Sequence, residues 1–202
     1  PVAESPPVFT NNAEVARGGG RSAGRRPCFV RRVVDGGSAL PRIGIMVDIR
    51  RASSGDVTAI AALMARRRER YEQHQPVFWR RAADARTRHA TFLATMVGDP
   101  KVICQVAERD DGFAGFAIGS LVPSPPVYDP GGPTCTLDDF AVVDDQDWAT
   151  IGIDLLREVA DEARRHGAAQ VVVVCGHADK AKREALRLAG LSIASEWWTA
   201  PL

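Results

Sequence analysis

Between positions 46 and 202 the spacing of apolar residues changes several times, and each change predicts an element. Residues 47–50 alternate as a short strand does. Ser53 and Asp56 then stand close to the spacing of a capping box, and Val57, Ile60, Ala61, Met64 and Tyr71 recur at helical intervals. The arginines between 66 and 70 read most simply as the solvated face of that helix. Pro76 interrupts it, and Phe78 and Trp79 fall in an irregular stretch that either covers a cleft or fills the core. A second helix is expected over 87–97, stopped by Gly98. Two strands, 102–107 and 113–122, flank a turn at 109–112 and predict an antiparallel hairpin. Gly115 and Gly119 point to a bulge or a close backbone approach in its second arm.

A long Pro-rich loop at 123–133, expected either to cover a site or to serve as a rigid connector, leads to a strand at 134–143. The clearest helix follows at 152–166, where Ile153, Leu155, Leu156, Val159, Ala160 and Ala163 form one stripe and Gly167 closes it. Residues 168–175 contain four consecutive valines and read as a strand buried on both faces. A last helix at 179–189 precedes a last strand, along which Leu191, Ile193 and Trp197 alternate. Of the adjacent Trp197 and Trp198, one is expected in the core and the other over a dimer contact or the cleft. The elements describe one α/β (α+β) domain with a mostly antiparallel front half and a β–α–β back half.

The first 45 residues are a different material. They are rich in Pro, Gly, Ser and Arg, and lack a sustained apolar period, so they are expected to form a loosely ordered basic tail. An edge strand at 28–34 and an arm for an acidic partner are the alternatives. The tail holds seven arginines against three carboxylates, a net of +4. The whole chain is +1, which leaves −3 for residues 46–202. That balance argues against a nucleic-acid partner for the domain, and no apolar run reaches the length of a membrane span. Cys28, Cys104, Cys135 and Cys175 lack zinc or redox spacing, and Cys104 and Cys175 read as small core residues. With no secretory leader pattern, a cytoplasmic location is expected.

The order of elements across 46–202 resembles the GNAT superfamily of acyl-CoA N-acyltransferases. Residues 137–156, LDDFAVVDDQDWATIGIDLL, align without a gap to that family's strand–loop–helix signature. The resemblance implies a central mixed, mostly antiparallel sheet with helices on both faces. It implies acetyl-CoA as co-substrate, with Val142, Val143, Asp147, Trp148, Ala149, Thr150, Ile151, Gly152 and Ile153 as the binding stretch. The strand would pair with pantetheine and the helix start would hold the pyrophosphate, for which unpaired N–H donors are suited. The family's loop is Gln/Arg-x-x-Gly-x-Gly/Ala, and this chain carries Asp147, Thr150 and Gly152 there. A carboxylate and a branched side chain thus stand where a phosphate should approach. Either acyl-CoA binds through backbone donors, or the fold persists as a binding or regulatory protein without it.

For direct acetyl transfer to a primary amine, the chemistry needs a base and an N–H that polarises the thioester carbonyl. The resemblance places the N–H near Val142 or Val143 and the base at Asp138, with Asp139 second. Strand alternation puts Asp138 and Asp139 on opposite faces. Structural roles for both carboxylates are the bland alternative. The family's frequent acid, a Tyr on the late helix, is Leu186 here, leaving His177 and Tyr128 as substitutes. The expected acceptor is a cationic amine, either a small molecule or a peptide, and a homodimer is common in the family. The four histidines lack metal-like spacing, so no metal is expected.

Overall fold

A computed structural model describes residues 47–124 and 126–202. The basic tail, its edge-strand alternative and Cys28 therefore lie outside the described residues. One five-stranded sheet runs β1 (Asp48–Arg51), β2 (Val102–Arg109), β3 (Gly112–Val122), β4 (Thr134–Val142) and β5 (Gln170–Val173), in that spatial order. The first three pairings are antiparallel and β4–β5 is parallel. The helices are α1 (Val57–His74), α2 (Ala85–Gly98), α3 (Ile151–Arg165) and α4 (Lys180–Leu188). This is the mixed, mostly antiparallel sheet expected from the order of elements.

Each face of the sheet has its own core. Ile60, Leu63, Met64, Leu93 and Val97 from α1 and α2 pack on Cys104, Val106, Phe116 and Ile118. On the opposite face, Leu155, Leu156, Val159 and Ala163 of α3 pack on Ala117, Cys135, Leu137 and Phe140. Gly119 permits the second contact, since an added Cβ would stand 2.8 Å from Val159 Cγ1 and 2.9 Å from Cys135 Sγ. The entry to α1 is fixed electrostatically. Asp56 accepts from the Ser53 N–H at 2.7 Å and from Arg50, which also grips Glu108 of β2. Arg50, with burial opposing it, holds the Asp56 carboxyl down to about 2.

Two expectations fail at the far edge. The valine-rich strand is not buried on both faces; β5 is four residues long with alternate positions exposed. The last strand does not form, and residues 191–202 make no ladder. Trp197 instead meets Phe78 edge-on at 5.8 Å, and Phe78 meets Trp79 at 4.7 Å. Neither Trp197 nor Trp198 is core, with exposures of 69% and 90%. The aromatic contact competes with a ladder for which β5 offers few partners, and it leaves β5 as the edge. Trp79 packs on Tyr71 at 5.1 Å, so the segment after α1 caps that helix.

Candidate active site

The C-terminal half of β4 borders two small cavities of opposite character. The first lies between α1, the end of β4 and the 3-10 turn Asp145–Ala149. Leu63, Arg66, Arg67, Arg70 and Tyr71 line it from one side, a set spaced i, i+3, i+4, i+7, i+8 on one stripe of α1. Ala141, Val142, Val143, Asp145, Trp148 and Asp179 complete it. Three guanidinium groups thus meet two carboxylates, and neither carboxylate is unopposed. Asp145 accepts from Arg70 with both oxygens at 2.8 Å, and Asp179 accepts from the Tyr71 hydroxyl at 2.8 Å. Burial pushes the Tyr71 hydroxyl up to about 12. The cavity volume is about 60 Å³, room for a few waters.

The second cavity, about 30 Å³, lies between α2 and the sheet and is lined by Phe92, Met96, Ile118, Ser120, Thr136, Asp138 and Asp139. Strict alternation would not bring both carboxylates to it. A register shift between Ile118 and Ser120, opposite this stretch of β4, is a bulge that turns Asp138 and Asp139 to one side. The expectation of opposite faces is corrected by that extra residue. Asp138 is exposed at the surface, but partial desolvation and the neighbouring Asp139 charge raise its carboxyl. Burial would raise Asp139 too, but a 3.3 Å contact with His89 Nε2 and the charges of Arg67 and Arg68 reverse the direction. Two adjacent carboxylates are thereby pushed apart, the arrangement that separates a proton acceptor from a fixed charge. The other ring nitrogen of His89, Nδ1, is buried without a partner.

Between the cavities, β4 and β5 part company. Their ladder ends at Leu137–Val173, followed by one bond from Val174 N–H to Leu137 O at 3.0 Å. Further along β4, the Val143 N–H is taken by Ala114 O of the β3 edge at 2.8 Å. Neighbouring residues of a strand aim their N–H groups to opposite sides, so Val142 aims its N–H toward the parting. Lys182 of α4 reaches the same gap, donating to Phe140 O at 3.2 Å and Val174 O at 3.0 Å.

No family model matches the chain, and no curated protein matches it. Solved structures do. The chain is 15% identical to a predicted acetyltransferase from Clostridium acetobutylicum with acetyl-CoA, over 77% of this chain and 96% of that one, at a TM-score of 0.59. It is 18% identical to a ribosomal-protein-alanine N-acetyltransferase from Brucella melitensis biovar Abortus, over 77% and 99%, at 0.53. It is 15% identical to an aminoglycoside N-acetyltransferase in complex with CoA, over 81% and 98%, at 0.59.

This is the GNAT fold.

Within the GNAT fold, the residues picked out in sequence sort into three groups. Val142, Val143 and Trp148 line the cationic cavity, and Asp138 and Asp139 line the acidic one. Asp147 does neither. Its carboxylate accepts from Arg109 at 2.9 Å, which answers the repulsion expected of it. Ala149 and Thr150 are exposed beside the turn, outside both linings, while Ile151, Gly152 and Ile153 are buried. The first intrahelical bond of α3 joins Asp154 N–H to Thr150 O, so the N–H groups of Ile151, Gly152 and Ile153 have no partner within the helix. Gly152 owes its place to packing: a Cβ there would stand 2.6 Å from the Trp148 ring. The substitute acids are both remote. Tyr128 is 73% exposed and His177 is exposed beside Arg183, and neither lines a cavity.

Arg66, Arg67, Arg70, Lys182 and His89 are the residues that sequence reading missed. The i, i+4, i+7 pattern of Leu63, Arg67 and Arg70 was a usable signal, as was a lysine on the apolar stripe of α4 with Ala185 and Leu186.

Proposed function

We propose that the chain is an N-acetyltransferase that moves an acetyl group from acetyl-CoA to a primary amine by direct transfer. One observation carries this reading. Arg67, from the cationic cavity, donates to the Asp138 carbonyl at 2.9 Å, while the Asp138 side chain lines the acidic cavity. An anion-binding cleft and an amine-binding one therefore meet on one residue of β4. The solved structures of this fold that contain acetyl-CoA or CoA support the same reading.

The donor set suits the diphosphate of a coenzyme A. Arg66, Arg67 and Arg70 supply charge at the cavity and Arg70 offsets Asp145, while the unpaired N–H groups at the start of α3 stand outside its lining and Arg109 neutralises Asp147 there. Acetyl-CoA supplies an activated acyl group. Val142 N–H, facing the parting of the strands, stabilises the carbonyl oxygen as charge develops on it. Asp138 takes the proton from the attacking amine, and its raised affinity for protons suits that role. Asp139, held ionised by His89, attracts a cationic acceptor. The thiolate leaves to solvent.

The test is calorimetric titration of the full chain with acetyl-CoA, then a turnover screen across polyamines, aminoglycosides and lysine peptides. Asp138→Asn should lower turnover by about 10²–10⁴-fold and leave acetyl-CoA affinity unchanged. No turnover with any cationic amine, or full turnover in Asp138→Asn, would count against the assignment.

A further inference from the structure

Lys182 has no part in the chemistry above, yet its setting is unusual. It is fully buried, with 0% exposure, and makes no salt bridge among the described residues. Its Nζ has two carbonyl acceptors and two aromatic neighbours, the ring centroids of Phe140 at 4.8 Å and Trp148 at 5.4 Å. Burying an ammonium without a carboxylate is costly, and ring faces and carbonyl oxygens recover only part of that cost. An apolar side chain of similar length would fill the space between Phe140 and Trp148 equally well.

What the lysine adds is a tie. Phe140 O belongs to β4, Val174 O lies just past β5, and a single nitrogen joins them immediately beyond the last ladder bond. Paired strands stand about 4.8 Å apart, so a molecule lying between two strands and bonding both needs roughly twice that. A nitrogen within hydrogen-bond reach of both oxygens keeps them no more than roughly 6 Å apart. The lysine also occupies Phe140 O, an acceptor that a ligand lying along this edge of β4 would need.

We propose that Lys182 is a latch on the seam between β4 and β5: it closes the gap in the free protein and must release Phe140 O and Val174 O before an acyl-pantetheine arm can lie there. The inference rests on the acyl-CoA reading of the site. Release is eased because the ammonium is readily neutralised. Burial, and next the Arg67 charge on α1, push Lys182 down to about 7, against Cys175 after β5, Asp179 at the start of α4 and Asp139 on β4. The small volume of the cationic cavity fits a site that is shut.

Calorimetric titration of the full chain with acetyl-CoA tests this in wild type, Lys182→Met and Lys182→Arg. Methionine keeps the stem without the donors, so it should bind at least roughly tenfold more tightly than wild type. Arginine keeps donors and should bind no more tightly. A second measurement needs no variant: with saturating CoA, Lys182 of the wild type should become open to an amine-reactive label read by mass spectrometry. Equal affinity in wild type and Lys182→Met, or a Lys182 that stays protected in the bound protein, overturns the latch and leaves the acyl-CoA reading standing. Binding to Lys182→Met alone supports the latch and removes the wild type from acyl-CoA enzymes. Binding to neither overturns both.

Discussion

The two cavities along β4 are built from the same kinds of side chain with the balance of charge reversed. In one, three arginines outnumber Asp145 and Asp179, and each carboxylate is bonded to a donor. In the other, Asp138 and Asp139 stand together, with His89 as the donor to one of them. The same strand thus borders an arginine-rich cavity and a carboxylate-rich one. On the function proposed above, a group passing from an anionic carrier to a cationic acceptor moves from one to the other. The difference also shows which charges are scaffolding: Asp147 is matched to Arg109 away from both cavities.

Reversing the cationic side should have the largest effect on binding. Arg66→Glu with Arg70→Glu places two carboxylates beside Asp145 on the α1 face of the cavity. Acetyl-CoA affinity should fall by roughly a hundredfold in calorimetry, and the affinity of wild type should weaken as salt rises. The acceptor amine, assigned above to the acidic cavity, should keep its KM. Equal losses for both ligands would mean that the cavities do not divide the work.

Acidity sharpens the comparison from the other side. Asp138 accepts a proton only when ionised, and partial desolvation with the Asp139 charge raises its pKa. Turnover should therefore fall as pH drops through that raised value. Asp139→Asn removes the like charge, so Asp138 ionises more readily and the acid limb of the rate profile should move to lower pH. A limb that stays in place would assign the proton to another group.

The order of elements from Val57 to Leu188 was legible because most of them bury a stripe of regular period. The apolar positions of α3 needed no long-range information, whereas the valines of β5, which read as buried on both faces, form a half-exposed edge strand. Two kinds of feature escaped. The bulge opposite Ile118 and Ser120 depends on pairing between strands, so alternation alone put Asp138 and Asp139 on the wrong sides of each other. The last strand failed because Leu191, Ile193 and Trp197 had the right spacing while the competing partner, Phe78, lay 119 positions away from Trp197 in the chain. The candidate site is half legible. The family-like stretch includes Val142, Val143 and Trp148, which line the cationic cavity, and Arg66 and Arg70 are exposed as the helical pattern predicts, but nothing local says that β4 ends beneath them.

The smallest effect is the most discriminating about how the cationic side is balanced. Asp145 takes both of its bonds from Arg70 at 2.8 Å, with both side chains about half exposed, so the pair itself contributes little to stability. Its consequence is for the ligand, because an arginine engaged by a carboxylate offers less to a phosphate. Asp145→Asn should leave the melting temperature nearly unchanged and tighten acetyl-CoA a few-fold, with the gain shrinking as salt rises. Asp147→Asn should not do the same, since Asp147 is matched to Arg109 outside the cavity. If the two substitutions behaved alike, the cavity would be sensing the net charge of the turn rather than the one guanidinium that Asp145 holds.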